Sequence, residues 1–199
     1  AIEWHQRAMA IREELGGPRH PEVAASHNNI GLALRNKGET LAAIEHWELA
    51  LSINEEVFGP DNIELASPLN NLGSGLDNVD RLEDAQAAYE RALAIRKKHL
   101  PPGHPDIASV YKNLGLNAAA RDQYEEARGY FENALESLEA SLGPDHPYVG
   151  EVVYRLGELH CRADRCELGK PLYERALALF QKAFPNGHLF VAAVMRDLG

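Results

Sequence analysis

Four histidines stand in the sequence at multiples of 42 residues from one another, and imidazole is the commonest metal ligand among side chains. They are His20, His104, His146 and His188, on a ladder with a 42-residue step whose remaining rung is Asn62. Packed helices lie about 8–10 Å apart, whereas a zinc ligand lies about 2 Å from its metal. Rungs on successive repeats therefore cannot share one ion, and we predict that they serve as turn and capping residues.

A second group with possible metal or redox chemistry consists of His160, Cys161 and Cys166. Their spacing matches no common zinc pattern, and a fourth ligand is missing. We therefore predict ordinary packing and free thiols rather than a metal site. Two cysteines also cannot form a disulfide framework, which favours a reducing compartment and a cytoplasmic protein.

The sequence lacks the common motifs of catalysis. It contains no glycine-rich phosphate loop, no His-Glu-x-x-His segment and no nucleophile elbow. We therefore expect no enzymatic activity, no cofactor and no metal, and function is expected to reside in a binding surface.

The amino-acid composition argues against nucleic acid as a ligand and against a segment that spans a membrane. The chain has 30 acidic and 20 basic residues and a net charge of −10, which argues against nucleic acid as a ligand. Apolar residues make up 45% of the chain, as in folded proteins, and no apolar run approaches the ~18 residues of a membrane span. Because residues 1–14 are polar, we also expect no signal peptide.

The histidine spacing belongs to a repeat that runs through the whole chain, and repeats of this length indicate stacked structural units. Other residue types recur at the same step. These are a glycine ladder (Gly31, Gly73, Gly115, Gly157), an aromatic ladder (Trp47, Tyr89, Phe131, Tyr173) and an alanine ladder (Ala8, Ala50, Ala92, Ala134, Ala176). We predict that the small residues let two helices approach closely and that the aromatic rings fill the wider gap beside them as core.

Each repeat has the pattern of two helices, which we call helix A and helix B. In the first repeat Pro21 suits the start of helix A, Lys37-Gly38 its end and Thr40 the N-cap of helix B. Short loops make the two helices antiparallel, and stacked hairpins form a solenoid. We predict two departures from the regular repeat. Helix A of the second repeat should have a kink or a late start near Pro68, and His27 should be part-buried and hydrogen-bonded.

These residues resemble the tetratricopeptide repeat, in particular Asn28 to Gly31 followed by the Ala43, Trp47 and Ala50 pattern. The 42-residue length, the Gly-Pro-Asp-His-Pro linker, and the segments 89–96 and 170–177 resemble the kinesin light chain subtype. The resemblance covers essentially the whole chain. It implies an all-α, right-handed superhelix, an α-solenoid of ten helices.

The register divides the chain into one predicted solenoid domain over 1–199, a fragment of a longer array. The predicted parts are a half repeat at 1–17 (helix B), repeats at 18–59, 60–101, 102–143 and 144–185, and a half repeat at 186–199 (helix A). Phe190, Val191, Val194 and Leu198 would then face water. Docking of this last helix A on the first helix B of another copy, head to tail, is one hypothesis.

The predicted binding site is the concave face formed by helices A. Asparagine amides both donate and accept hydrogen bonds, so a row of them suits the backbone of an extended peptide. The face carries a net charge of about +1 against −10 for the chain. The candidate groove residues are Asn28, Asn29, Arg35, Asn70, Asn71, Asn78, Lys112, Asn113, Tyr154, Arg155 and Arg162. The resemblance points to the same role for Asn29, Asn71, Asn113 and Arg155.

We therefore predict a scaffold or adaptor that binds a protein or peptide segment along this groove. Acidic segments are favoured in the half that contains Lys112, Arg155, Arg162 and Arg196. Two alternatives stay open: a structural or self-assembling spacer with an empty groove, and a regulatory arm of a larger signalling protein.

Overall fold

The structure is a computed structural model that describes residues 2–185 and 187–199. The secondary structure in these ranges consists of ten α-helices and one short 3-10 helix, as an all-α repeat fold requires. None of the helices in the described ranges combines the length and apolarity needed to cross a membrane. The chain divides into two compact units, Ala1–His99 and Leu100–Gly199.

The first unit contains two helical hairpins preceded by a single helix. Its elements are α1 (Ile2–Gly16), α2 (Pro21–Asn36), α3 (Thr40–Phe58), the 3-10 helix Ile63–Leu65, α4 (Ala66–Asp77) and α5 (Leu82–His99). Helix α2 packs on α3 and α4 packs on α5, while α1 packs on α2 and α3 on α4.

The second unit contains two hairpins followed by a single helix. Its elements are α6 (Pro105–Ala120), α7 (Tyr124–Leu142), α8 (Pro147–Arg162), α9 (Cys166–Ala183) and α10 (Leu189–Leu198). Gly150 lies against Phe180 and Gly157 against Tyr173, so α8 and α9 run antiparallel. The core of this unit includes Val149, Val152 and Phe180, all fully buried.

The histidine ladder caps helices, as predicted from its position before helix A. The Nδ1 atoms of His20, His104, His146 and His188 each accept a hydrogen bond from the backbone N–H two residues later, at 3.1–3.2 Å. The Oδ1 atom of Asn62 accepts the equivalent bond at 2.9 Å. Each side chain satisfies one of the free N–H groups at a helix start.

All four hairpin turns close in the same way. The N–H of Glu39, Arg81, Gln123 and Arg165 donates to the carbonyl five residues earlier, at 2.9–3.0 Å. The preceding residue is left-handed in every turn: Gly38 with φ 85°, Asp80 with 61°, Asp122 with 57° and Asp164 with 56°. The predicted end of α2 at Lys37-Gly38 is confirmed. The predicted N-cap was wrong, because Thr40 is the first residue of α3 and Glu39 holds the cap position.

The aromatic ladder is core, but it packs differently from our expectation. A Cβ added to Gly31 would lie 2.5 Å from the Trp47 indole, and one added to Gly73, Gly115 or Gly157 would lie 2.6–2.7 Å from the ring facing it. The rings therefore lie directly on the glycines of helix A rather than in a gap beside them. Trp47 and its three counterparts are at most 4% exposed.

The two predicted departures are both confirmed. Helix α4 starts three residues after the position at which α2, α6 and α8 start, and the 3-10 helix fills the interval. Pro68 is the third residue of α4, where its missing N–H breaks no helical hydrogen bond. His27 is nearly buried, and its Nδ1 lies 2.8 Å from Nδ1 of His46.

The last helix is less exposed than the sequence suggested. Val194 is fully buried and Phe190 stacks on Phe180 at 5.0 Å, because α10 packs on α9. Leu189 and Met195 are the large apolar residues of α10 that face water, at 84% and 57% exposure.

Candidate functional site

The predicted groove residues lie on the helices A of both units, and each unit is described by itself. In the first unit Asn71 Nδ2 donates to Asn28 Oδ1 at 2.9 Å, joining α4 to α2. Both asparagines are half-buried, whereas Asn29 and Asn78 are exposed and Asn70 is half-buried. Asn71 therefore bonds to Asn28 rather than to Asn29, the residue that precedes it by one 42-residue repeat.

A polar chain continues along the same face of the first unit. Arg35 Nη1 donates to Ser74 Oγ at 3.4 Å, and Tyr89 Oη donates to Asp77 Oδ2 at 2.8 Å. Burial, and then the charge of Asp77, raise the pKa of Tyr89 well above its usual value. Arg35 is half-buried and thus placed by contacts inside the unit.

The first unit also has an open depression of about 790 Å³ between α1 and α2. Asn29, Leu32 and Asn36 line it from α2, and Ile2 and His5 line it from α1. Asn29 is the predicted groove residue that reaches this space.

The second unit has a depression of about 510 Å³ formed by α6, α8 and α10 with the rings of the aromatic ladder at its base. We call it the Arg155 depression. Its apolar wall consists of Leu116, Ala119 and Leu159, and its charged wall of Arg155, Glu158, Arg162, Arg196 and Asp197. An apolar base with a charged rim is the usual construction of a site that holds part of another molecule.

Each predicted cation of the second unit already has an acidic neighbour. Lys112 pairs with Glu151 at 2.8 Å, Arg155 with Glu158 at 2.7 Å, and Arg196 with Asp197 at 2.8 Å. Arg162 lies 3.5 Å from Asp122 and is half-exposed. A bound carboxylate would therefore share these cations with residues of the chain.

Arg155 has hydrogen-bonding capacity left over. Its Nη1 bonds to Glu158, but within the described ranges its buried Nε has no hydrogen-bond partner. The guanidinium carbon lies 5.4 Å from the centre of the Tyr154 ring, within cation–π distance. A buried N–H without a partner is costly and unusual. A ligand acceptor reaches the other part of the guanidinium, because the Arg155 side chain as a whole is 30% exposed.

The buried side chain of Tyr154 connects two helices of the site. It is 4% exposed and its Oη donates to Asp197 Oδ2 at 2.6 Å, tying α8 to α10. Burial, followed by the Asp197 hydrogen bond, raises the pKa of Tyr154, and burial raises the pKa of Tyr173 to about 12. The hydrogen bond from Arg196 lowers the pKa of Asp197. Tyr154 is thus a neutral donor near pH 7.

The remaining predicted residues lie on α6. Asn113 is half-buried and has an interaction partner within the protein. Lys112 lines a smaller depression of about 290 Å³ between the starts of α6 and α8, together with Glu151, Ser109 and Tyr148. This depression shares no lining residue with the Arg155 depression.

Sequence reasoning missed several residues of the Arg155 depression. Leu159 follows Arg155 by one helical turn and Ala119 follows Leu116 by three residues, so the helical period could have found them. Tyr173 and Phe131 reach the base only because glycines face their rings.

The cysteines contradict the sequence prediction. Cys161 and Cys166 are joined in a disulfide across the turn between α8 and α9, so neither is a free thiol. The turn brings the last residues of α8 next to the first residue of α9, which the spacing alone did not indicate. Within residues 2–185 and 187–199, no group of three or more metal-ligating side chains could hold an ion.

Comparisons with known proteins agree with this architecture. BtubC (BKLC) from P. vanneervenii has a TM-score of 0.80 at 22% identity, covering 99% of this chain and 80% of its own. Kinesin light chain-like, nearly identical TPR-like repeats from Podosopora anserina have a TM-score of 0.78 at 20% identity, covering 92% and 87%.

Aspartyl phosphate phosphatase F from Bacillus subtilis is a third similar structure. It has a TM-score of 0.81 at 17% identity, covering 98% of this chain and 48% of its own. These likenesses show that the fold is that of kinesin light chain-like solenoids. No curated protein matches the sequence significantly. The family model for the tetratricopeptide repeat matches residues 22–98 and 106–166, more than half of the chain, and the chain therefore belongs to the tetratricopeptide repeat family.

Proposed function

We propose that the chain is a protein-interaction module that holds a segment of a partner protein against its helices A. The observation that carries this proposal is the Arg155 depression, which combines an apolar wall with the partly exposed guanidinium of Arg155. A peptide supplies both complements, because an apolar side chain covers Leu116 and Leu159 and a carbonyl or carboxylate accepts from Arg155.

The charge of the site favours acidic segments. Arg155, Arg162 and Arg196 line the depression with two acidic residues, Glu158 and Asp197. The rest of the surface is strongly acidic, since the whole chain carries −10. An acidic segment is therefore attracted to this face and repelled elsewhere, which orients it on encounter.

The test is a selection from a random peptide display library on the wild-type protein, followed by affinity measurements on variants. We expect Arg155→Ala to weaken binding of the selected peptides by about tenfold, the value of one charged hydrogen bond. Arg128→Ala is the control, because Arg128 is an exposed arginine of α7 paired with Glu125 and its loss changes the net charge equally.

A photo-crosslinking residue at position 116 and another at position 132 locate the bound peptide. We expect crosslinks from 116, in the depression, and none from 132, on the exposed part of α7. Selected peptides that bind Arg155→Ala and Arg128→Ala equally, or that crosslink only from position 132, would contradict the proposal. The double variant Asn71→Ala/Asn113→Ala tests whether the two helix A asparagines contribute.

A second candidate, head-to-tail self-association, is favoured by exposed apolar residues on α1 and α10. Trp4 and Ile11 of α1 are 71% and 57% exposed, and Met195 of α10 is 57% exposed. In the 42-residue register Trp4 corresponds to His46 and Met195 to His27, two residues in contact between α3 and α2. If α10 of one copy packed on α1 of another, Met195 and Trp4 would meet in the way that His27 and His46 meet within the first hairpin.

Sedimentation velocity over a wide range of protein concentration tests this candidate. Self-association predicts a mass that rises with concentration and falls to the monomer in Met195→Glu. Leu168→Glu is the control, because Leu168 is a 53% exposed apolar residue of α9 outside both surfaces. A monomer at every concentration would eliminate this candidate without affecting the peptide-binding proposal.

A further inference from the structure

The disulfide between Cys161 and Cys166 lies where the fold does not need it. It spans a sequence separation of 5, across the turn from α8 to α9. A loop this short removes less entropy from the unfolded chain than a long one, so the bridge stabilises weakly.

The other three hairpins show that the turn forms without a bridge. In the preceding hairpin the equivalent positions are Ala119 and Tyr124. That turn has the same hydrogen bond, from Gln123 N–H to the Ala118 carbonyl at 2.9 Å, as the bridged turn has from Arg165 to His160 at 2.9 Å. The left-handed aspartate before the donor is also the same. Opening the bridge therefore leaves every backbone contact of the turn available.

The helix pair beside the bridge is held independently. A Cβ on Gly169 would lie 2.8 Å from the Gly157 carbonyl oxygen, and Gly157 lies under the Tyr173 ring. This close contact is made by glycines one turn inside the helix ends. Reduction of the sulfurs does not remove it.

The two sulfurs differ in access and in surroundings. Cys166 is exposed, whereas Cys161 is half-buried and lines the Arg155 depression with Arg155 and Arg162. An incoming thiolate reaches Cys166 first. The departing Cys161 thiolate lines the same depression as Arg155 and Arg162, whose positive charges favour a negative sulfur.

We propose that Cys161–Cys166 is a reversible redox site that exchanges with a monothiol of the glutathione class. The thiolate attacks Cys166 Sγ, the protein S–S bond breaks, and Cys161 leaves as a thiolate while a mixed disulfide forms on Cys166. A second thiolate attacks the monothiol sulfur of that mixed disulfide and releases Cys166. Two electrons pass to the protein, one low-molecular-weight disulfide forms, and the cysteine thiolates take up protons from water.

The test equilibrates the folded protein in buffers of varied reduced-to-oxidised glutathione ratio, with acid quenching, alkylation and intact-mass measurement. We expect the bridged fraction to fall from nearly complete to nearly absent across the series, while helical circular dichroism stays unchanged. The double variant Cys161→Ser/Cys166→Ser should give the same circular dichroism signal at every ratio. Free thiols at all ratios, or a bridge that opens only when the helical signal is lost, would overturn the proposal.

Trapping the mixed disulfide tests the direction of attack. After brief exposure of the bridged protein to reduced glutathione and acid quenching, peptide mapping should find the glutathione on Cys166. Glutathione mainly on Cys161, or equally on both cysteines, would contradict the assignment of Cys166 as the attacked sulfur. These measurements need no peptide ligand, so their failure is independent of the proposed interaction function.

Discussion

The imidazoles of His27 on α2 and His46 on α3 meet through their Nδ1 atoms, 2.8 Å apart. One ring must donate and the other accept, so the contact holds only while at least one Nδ1 is unprotonated. Burial, and then His46, lower the pKa of His27, while Glu13 of α1 opposes the change. Burial lowers the pKa of His46, against the opposing charge of Glu45. The pair is therefore a neutral hydrogen bond inside the first hairpin.

This pair predicts a pH-dependent stability. Because both pKa values are lowered from the ordinary 6.5, the unfolded chain binds more protons than the folded one. The contribution of the pair to the free energy of unfolding is complete above pH 6.5 and is lost as the pH falls from there through the lowered pKa values. Urea unfolding should give a lower midpoint at about pH 5 than at about pH 8. The variant His27→Gln/His46→Gln should have a flatter profile; an identical profile would contradict this origin.

The glycine beneath each aromatic ring predicts a large effect of one methyl group. In Gly115→Ala the new Cβ would meet Phe131 at 2.6 Å, so the ring or a helix must shift. We expect a loss of about 1–3 kcal/mol in the free energy of unfolding by overpacking. Gly129→Ala in α7 is the control, because nothing lies within 4 Å of its Cβ position. It should gain about 0.5–1 kcal/mol from helix propensity. Denaturant titrations in which both variants behave alike would refute the packing account.

The left-handed residue of each turn gives a third prediction. Asp80 has φ 61°, whereas the equivalent residue of the first hairpin is Gly38. Asp80→Gly should raise the free energy of unfolding by about 0.5–1 kcal/mol, since glycine adopts this conformation without a Cβ clash. Asp80→Val should lower it by about 1–2 kcal/mol. The thermal unfolding midpoints of the two variants should shift in opposite directions from that of the wild type. Shifts in the same direction would show that the φ angle is not the cause.

The ion pair of Arg155 with Glu158 predicts a gain of affinity. The Glu158→Gln variant removes the carboxylate that now shares Arg155 at 2.7 Å. Selected acidic peptides should bind this variant about three- to tenfold more tightly, and more so at low salt. Glu132→Gln on the exposed part of α7 has the same charge change and should have little effect. Weaker binding to Glu158→Gln, measured by fluorescence anisotropy, would show that Glu158 contacts the peptide directly.

The local elements of this protein were predictable from its sequence because they depend on short-range chemistry. The histidine and asparagine caps, the end of α2 at Gly38 and the late start of α4 before Pro68 all follow from residues within a few positions of each other. A constant 42-residue register then predicted the helical hairpins and the buried aromatic ladder, since equivalent positions in stacked repeats have equivalent neighbours.

The tertiary structure decided which side chains pair with which. Asn71 bonds to Asn28 rather than to Asn29, and Tyr154 is buried on Asp197 although its position is on the predicted groove face. The disulfide between Cys161 and Cys166 also required the actual turn geometry. These contacts depend on distances between helices to within about an ångström, which set hydrogen-bond and bridge formation. Residue type and period fix the face on which a side chain lies, but only the packed helices fix its partner.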